Sequence, residues 1–178
     1  MREDMERILL TEAELQERVS KLGRQITEDY AGKEPIFVGV LKGCFIFMAD
    51  LLRSVGLHCT MDFMAVSSYG DGTTTTGAVK INKDLSRDIA GKDVIIVEDI
   101  LDSGVTLSYL KNYLSVRKPA SISIVTLLDK PSRRRADIKA DYVGFEVEDA
   151  FVVGYGLDYA ERYRNLPYIG ILKPEIYA

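Results

Sequence analysis

The sequence predicts an α/β fold, a parallel sheet of Rossmann-like type flanked by helices. Three observations carry that expectation. Short, nearly continuous apolar runs alternate with helical periods, the signature of strands buried on both faces of a parallel sheet. The 178 residues match one ordinary domain, so the organisation expected is a single domain over 1–178. Hydrophobic residues at 47% and charged residues at 28% fit a globular chain with a sizeable core rather than a disordered one.

The elements follow in order. Thr11 and Glu14 form a capping-box pattern, and Leu15, Val19, Leu22 and Ile26 then share one helical face, with Gly32 as the stop. Pro35 to Leu41 reads as a buried strand, Cys44 to Arg53 as a mostly buried helix, and His58 to Val66 as a further strand. Ser67 to Gly77 is a polar interruption rich in Gly and Thr, of the kind that is usually functional. Ala78 to Leu85 is extended again. Asp93 to Glu98 is the clearest strand, followed by a helix over Val105 to Val116 and a third buried strand over Ser121 to Leu128. Tyr142 to Phe145 and Phe151 to Val153 read as short strands.

Composition excludes several function classes. Twenty-three basic against 27 acidic residues leave a net charge of −4, which argues against a general nucleic-acid partner. No apolar run reaches the ~20 residues of a membrane span, so no membrane partner is expected. The charged stretch Met1 to Ser20 has no apolar signal-peptide core. Cys44 and Cys59 sit in apolar stretches outside any metal-type cluster, and read as reduced core thiols of a cytoplasmic protein. With His58 as the single histidine, a serine or cysteine hydrolase triad has only one residue that could serve as base.

In open parallel sheets ligands bind beyond the carboxyl ends of the strands. Those ends here are Leu41-Lys42-Gly43, Glu98-Asp99 with Asp102-Ser103-Gly104, and Asp129-Lys130, which places charge and glycine on one edge. Within VIIVEDILDSGVTL (Val94 to Leu107), the Ser103 and Thr106 hydroxyls and the N–H groups opening a helix form a phosphate cradle. Gly104 lets the backbone come close to the anion. Glu98 and Asp99 would repel phosphate, so they suit sugar hydroxyls or a divalent cation. No Walker A or dinucleotide glycine pattern is present. On residue type alone a surface lysine in the turn before Pro131 is the minority reading of Lys130, while Phe151 with Val152 read equally as core strand. Arg133 to Arg135 read as a solvated or subunit-contacting cluster.

The Val94 to Leu107 segment resembles the phosphoribosyl-pyrophosphate signature of the type I phosphoribosyltransferases: a hydrophobic strand, two acidic residues, then Asp-Ser/Thr-Gly-x-Thr. Other segments resemble the hypoxanthine (guanine) branch of that family. These are LKG at Leu41 to Gly43, Ser68-Tyr69 at the start of a mobile lid of about 67–78, Lys130 in LLDKPSRR, and the tail from Val143 to Gly170. The resemblance runs from about Thr11 through nearly the whole chain, with the motifs in the same order.

The resemblance implies a type I core with a small hood from the N- and C-terminal segments. It also implies a Mg²⁺-dependent transfer of 5-phosphoribosyl from phosphoribosyl pyrophosphate to a 6-oxopurine, in purine salvage, by a homodimer or homotetramer. Its roles are Glu98 and Asp99 on the ribose hydroxyls, directly or through Mg²⁺, and Asp102 as general base. Ser103, Gly104, Val105 and Thr106 hold the 5′-phosphate, while Lys42, Gly43 and Arg164 meet pyrophosphate. Lys130, Phe151 and Val152 read the purine, and Asp158 holds a second Mg²⁺. Tyr69 and Arg164 are assigned by resemblance alone. The chain departs from some relatives at Cys44, where they carry Gly, and at Val105, where they carry Lys, so the phosphate turn has one positive charge fewer. Two rivals are a nucleotide-sensing RNA-binding regulator of the same fold and a phosphoribosyltransferase for another base.

Overall fold

The computed structural model describes residues 1–68 and 79–178. Six strands form the main sheet: β2 (Ile36–Leu41), β3 (Thr60–Ser68), β4 (Val79–Lys83), β5 (Asp93–Leu101), β6 (Ser121–Asp129) and β7 (Tyr142–Glu146). Their order is β4-β3-β2-β5-β6-β7. All neighbours are parallel except β4, which runs antiparallel to β3 at one edge. A second, three-stranded sheet of order β1-β9-β8 joins Met5–Leu10, Ile169–Leu172 and Val152–Val153, bringing the two chain ends together.

Strand alternation divides the core. Phe37, Ile95, Val97, Val125 and Leu127 face α1 (Glu12–Asp29) and α2 (Phe45–Ser54), which contribute Leu15, Val19, Leu22, Ile26, Phe47 and Leu51. Ile36, Val38, Val40, Val94, Ile96 and Ile124 point the other way, onto Leu107, Leu110 and Leu114 of α3 (Val105–Ser115). Both faces are therefore covered, as the continuous apolar runs require. The capping box forms: Thr11 Oγ1 accepts from the Glu14 N–H at 3.3 Å, and the Glu14 carboxylate accepts from the Thr11 N–H at 2.8 Å. No helix among the described residues is long and apolar enough to cross a membrane.

Several expectations need correction. Ser67 and Ser68 are not loop; they continue β3 beyond the Val66–Ile81 pair, because Lys80 and Val79 of β4 extend the ladder and pair with them. Tyr69 and the rest of the expected lid lie outside the described residues. Strand β8 is Val152–Val153, and Phe151 precedes it. Strands β1 and β9 are absent from the sequence reading. Met5–Leu10 follows no two-residue burial alternation, and its pairing with β9 has register shifts, so no local pattern announces it.

Candidate active site

Strand β2 connects through α2 to β3 on one side, and β5 connects through α3 to β6 on the other. The adjacent carboxyl ends of β2 and β5 therefore flank the topological switch point, where such sheets open a crevice. Lys42 and Gly43 leave β2 there; the Leu41–Lys42 peptide is cis. A Cβ at position 43 would overlap the Asp99 carboxylate, so only glycine lets this turn lie against β5.

Glu98 and Asp99 are both partly buried, and among the described residues neither has a cationic nitrogen within 4.0 Å. Burial pushes Glu98 well above the usual carboxylate range, and the adjacent Asp99 charge adds to it. Burial raises Asp99 as well, against the lowering effect of the Glu98 side chain and the Ile100 N–H, which donates to Asp99 Oδ1 at 2.8 Å. Two unpaired, half-buried carboxylates with oxygen-only donors fit a hard cation or a sugar diol.

Beyond β5 the chain turns through Asp102, Ser103 and Gly104 into α3. Gly104 has φ +75° as the N-cap, and a Cβ there would lie 2.5 Å from Ile138 Cγ2. Ser103 Oγ accepts from the Val105 N–H at 3.4 Å. The first N–H groups of an α-helix have no intrahelical acceptor, so Val105 and Thr106 present donors to an anion without a lysine at position 105.

The turn is braced from behind by Arg134, which the sequence places in a solvated or subunit-contacting cluster. The Arg134 side chain is only 18% exposed. Its Nε donates to the Asp102 carbonyl at 3.1 Å, its Nη1 to the Ile138 carbonyl at 3.0 Å, and its Nη2 pairs with Asp129. The Arg135 and Ala136 N–H groups donate to the Ser103 carbonyl at 2.9 and 3.0 Å. Arg133 instead reaches outward to Asp149 at 2.8 Å. Three successive arginines thus have different roles, and nothing in the run itself distinguishes them.

Asp102 and Lys130 line a cavity of about 300 Å³, together with Arg133, Asp149, Phe151 and Tyr177. Lys130 is 8% exposed and its ammonium donates to the Ala150 carbonyl at 2.5 Å, so it is not a surface lysine. Burial lowers its pKa, with the Asp149 carboxylate opposing. Val152, which follows the lining residue Phe151 in the chain, has its side chain buried in the core, whereas Phe151 is 37% exposed.

The remaining charged residues sit on the hood loop. Arg164 donates to the Gly156 carbonyl at 2.8 Å and pairs with Asp158 at 3.0 Å and Glu161 at 3.4 Å; its Nε is buried with no partner among the described residues. Lys42 Nζ pairs with Glu161 at 3.0 Å. Glu161, unassigned from sequence, therefore bridges two cations expected to meet pyrophosphate. Asp158 is engaged on both oxygens, by Arg164 and by the Glu161 N–H at 2.9 Å. Among the described residues no three acidic, His or Cys side chains cluster as a metal cage, so Asp158 does not join Glu98 and Asp99 in one ligand set.

Residues 8–160 match the phosphoribosyl transferase domain. The chain is 59% identical over 177 residues to the hypoxanthine-guanine phosphoribosyltransferase of Bacillus subtilis, covering 99% of this chain and 98% of that protein. It belongs to the hypoxanthine-guanine phosphoribosyltransferase family. A crystal structure of a hypoxanthine phosphoribosyltransferase from Staphylococcus aureus superposes on it with a TM-score of 0.97 at 55% identity, over 100% of this chain and 97% of that one. The bifunctional protein TilS/HprT of Listeria monocytogenes is 59% identical over all of this chain, which spans 28% of that longer protein. The family's type I fold accounts for the switch-point crevice and the hood.

Proposed function

We propose that the protein is a cytoplasmic purine salvage enzyme. It transfers 5-phosphoribosyl from phosphoribosyl pyrophosphate to hypoxanthine and guanine, giving IMP or GMP and pyrophosphate. The observation that carries this reading is the buried Lys130 ammonium facing the same cavity as Asp102, one turn from the Gly104 phosphate cradle. An ammonium is a donor only, so it donates to a 6-oxo group and has no bond to make with a 6-amino group.

The C1′–O bond to pyrophosphate breaks as the purine nitrogen attacks C1′, through a transition state with oxocarbenium character. Asp102 takes the proton from the purine as its nitrogen forms the new bond. The N–H groups of Val105 and Thr106, with Ser103 and Gly104, anchor the 5′-phosphate. Lys42, the Gly43 backbone and Arg164 hold the departing pyrophosphate. Lys130, the Phe151 ring and the Val152 backbone orient the base. Glu98 and Asp99 fit the ribose hydroxyls and Mg²⁺, and Asp158 is assigned a second Mg²⁺, which requires Arg164 to release one oxygen. When bound, Mg²⁺ supplies charge neutralisation on the pyrophosphate. The family resemblance supports a homodimer or homotetramer.

The test is turnover of phosphoribosyl pyrophosphate with hypoxanthine, guanine, xanthine and adenine in parallel. Activity with the first two and at least ~10²-fold less with adenine is expected. Equal or better activity with adenine would overturn the reading.

A further inference from the structure

The chain's penultimate residue reaches the base cavity. After β9 the chain enters a four-residue helix, α4 (Pro174–Tyr177), which begins on a proline that presets its first turn. The Lys173 N–H donates to the Asp4 carbonyl at 3.0 Å, and Ile176 packs on the hood core, so α4 is anchored at its start. Its last side chain, Tyr177, lies on Phe151 with ring centroids 4.6 Å apart and planes 21° from parallel. Tyr159 meets both rings at a steep angle, at 5.6 Å and 88° to Phe151 and at 6.4 Å and 67° to Tyr177.

Two features separate this trio from ordinary core packing. Phe151 and Tyr177 are each 37% exposed, and both line the cavity that holds Asp102 and Lys130. The spacing also has a steric consequence. Rings 4.6 Å apart are already in contact and leave no slot for a third between them. A purine that stacks on Phe151 must therefore use the face that Tyr177 leaves open. A lone half-exposed phenyl ring would have to be ordered when the base arrives, whereas a ring already stacked by one neighbour and met at a steep angle by a second is preorganised.

We propose that Tyr177 is a positioning residue of the base site, holding the Phe151 ring in the plane on which the 6-oxopurine stacks. This rests on the functional reading above, in which Phe151 carries the base. It makes the C-terminal end of the chain part of substrate recognition, although Tyr177 is 47 residues from Lys130 in sequence.

The experiment compares Tyr177→Ala and Tyr177→Phe with the wild type. The KM for hypoxanthine and the KM for phosphoribosyl pyrophosphate are measured separately, and thermal melting provides the control. Tyr177→Ala should raise the hypoxanthine KM about three- to ten-fold, the worth of one aromatic pair, with the phosphoribosyl pyrophosphate KM unchanged within two-fold. Tyr177→Phe keeps the ring and should restore the wild-type value. Three results in Tyr177→Ala would overturn the inference alone. These are an unchanged hypoxanthine KM, a fall in that KM (a ring that obstructs the base), or a parallel rise in both KM values with a lowered Tm (general loosening of the hood). Wild-type protein that turns over no 6-oxopurine would overturn the functional reading and this inference with it.

Discussion

Replacing Arg134 with Met tests whether the phosphate turn is held from behind. Methionine keeps the aliphatic stem that packs over Gly104 but removes the guanidinium. The change deletes two hydrogen bonds to backbone carbonyls, of Asp102 at 3.1 Å and Ile138 at 3.0 Å, and the pair with Asp129. A hydrogen bond involving a charged group is worth about 1.5–3 kcal/mol, and breaking a buried ion pair costs about 3–5 kcal/mol. These figures overlap, because one guanidinium makes all three contacts, and the 18% exposure of Asp129 lets water replace part of the loss. A net destabilisation of about 3 kcal/mol follows. With a urea m-value of about 2 kcal/mol/M, the unfolding midpoint should fall by about 1.5 M. Titration of IMP by calorimetry should show weakened binding, since the Asp102 carbonyl loses its anchor. The double mutant Arg134→Met with Asp129→Asn should cost clearly less than the sum of the single changes. A single-mutant loss below about 1 kcal/mol, or full additivity, would refute the brace.

Two further outcomes follow from the buried charges of the site. Lys130→Gln should lower kcat/KM for hypoxanthine about 10- to 100-fold and narrow the gap to adenine, because an amide offers either a donor or an acceptor; unchanged values for both bases would remove Lys130 from base reading. Glu98→Gln should raise the Tm of the ligand-free protein at pH 8 but hardly at pH 4, while lowering kcat/KM. The folded-state pKa of Glu98 is raised, so the native state keeps this proton after the unfolded chain has lost it. Stability is therefore lost as pH rises from the ordinary glutamate range toward the folded value. A Tm gain that does not grow with pH would contradict that origin.

The sequence by itself determined features that contiguous residues of a single element specify. The capping box at Thr11 and Glu14 formed as read, because both its hydrogen bonds span three residues. Strands β2, β5 and β6 announced themselves because burial on both faces makes their residues apolar in unbroken runs. The Gly104 turn and the paired carboxylates were legible for the same reason, being contiguous in one strand–turn–helix segment. Tertiary structure alone decided what depends on distant partners. Strand β1 exists because β9, more than 150 residues later, supplies its hydrogen bonds. Arg134 differs from Arg133 and Arg135 only because Asp129, Ile138 and the Asp102 carbonyl converge on it. Asp158, read as a cation ligand, faces Arg164 because the hood loop folds back on itself through residues 156–164. Tyr177 reaches Phe151 only because β8 and β9 pair in the hood. Hydrogen-bond partners and side-chain stacking are properties of proximity in space, and a chain that closes its two ends into one sheet creates proximities that no local pattern encodes.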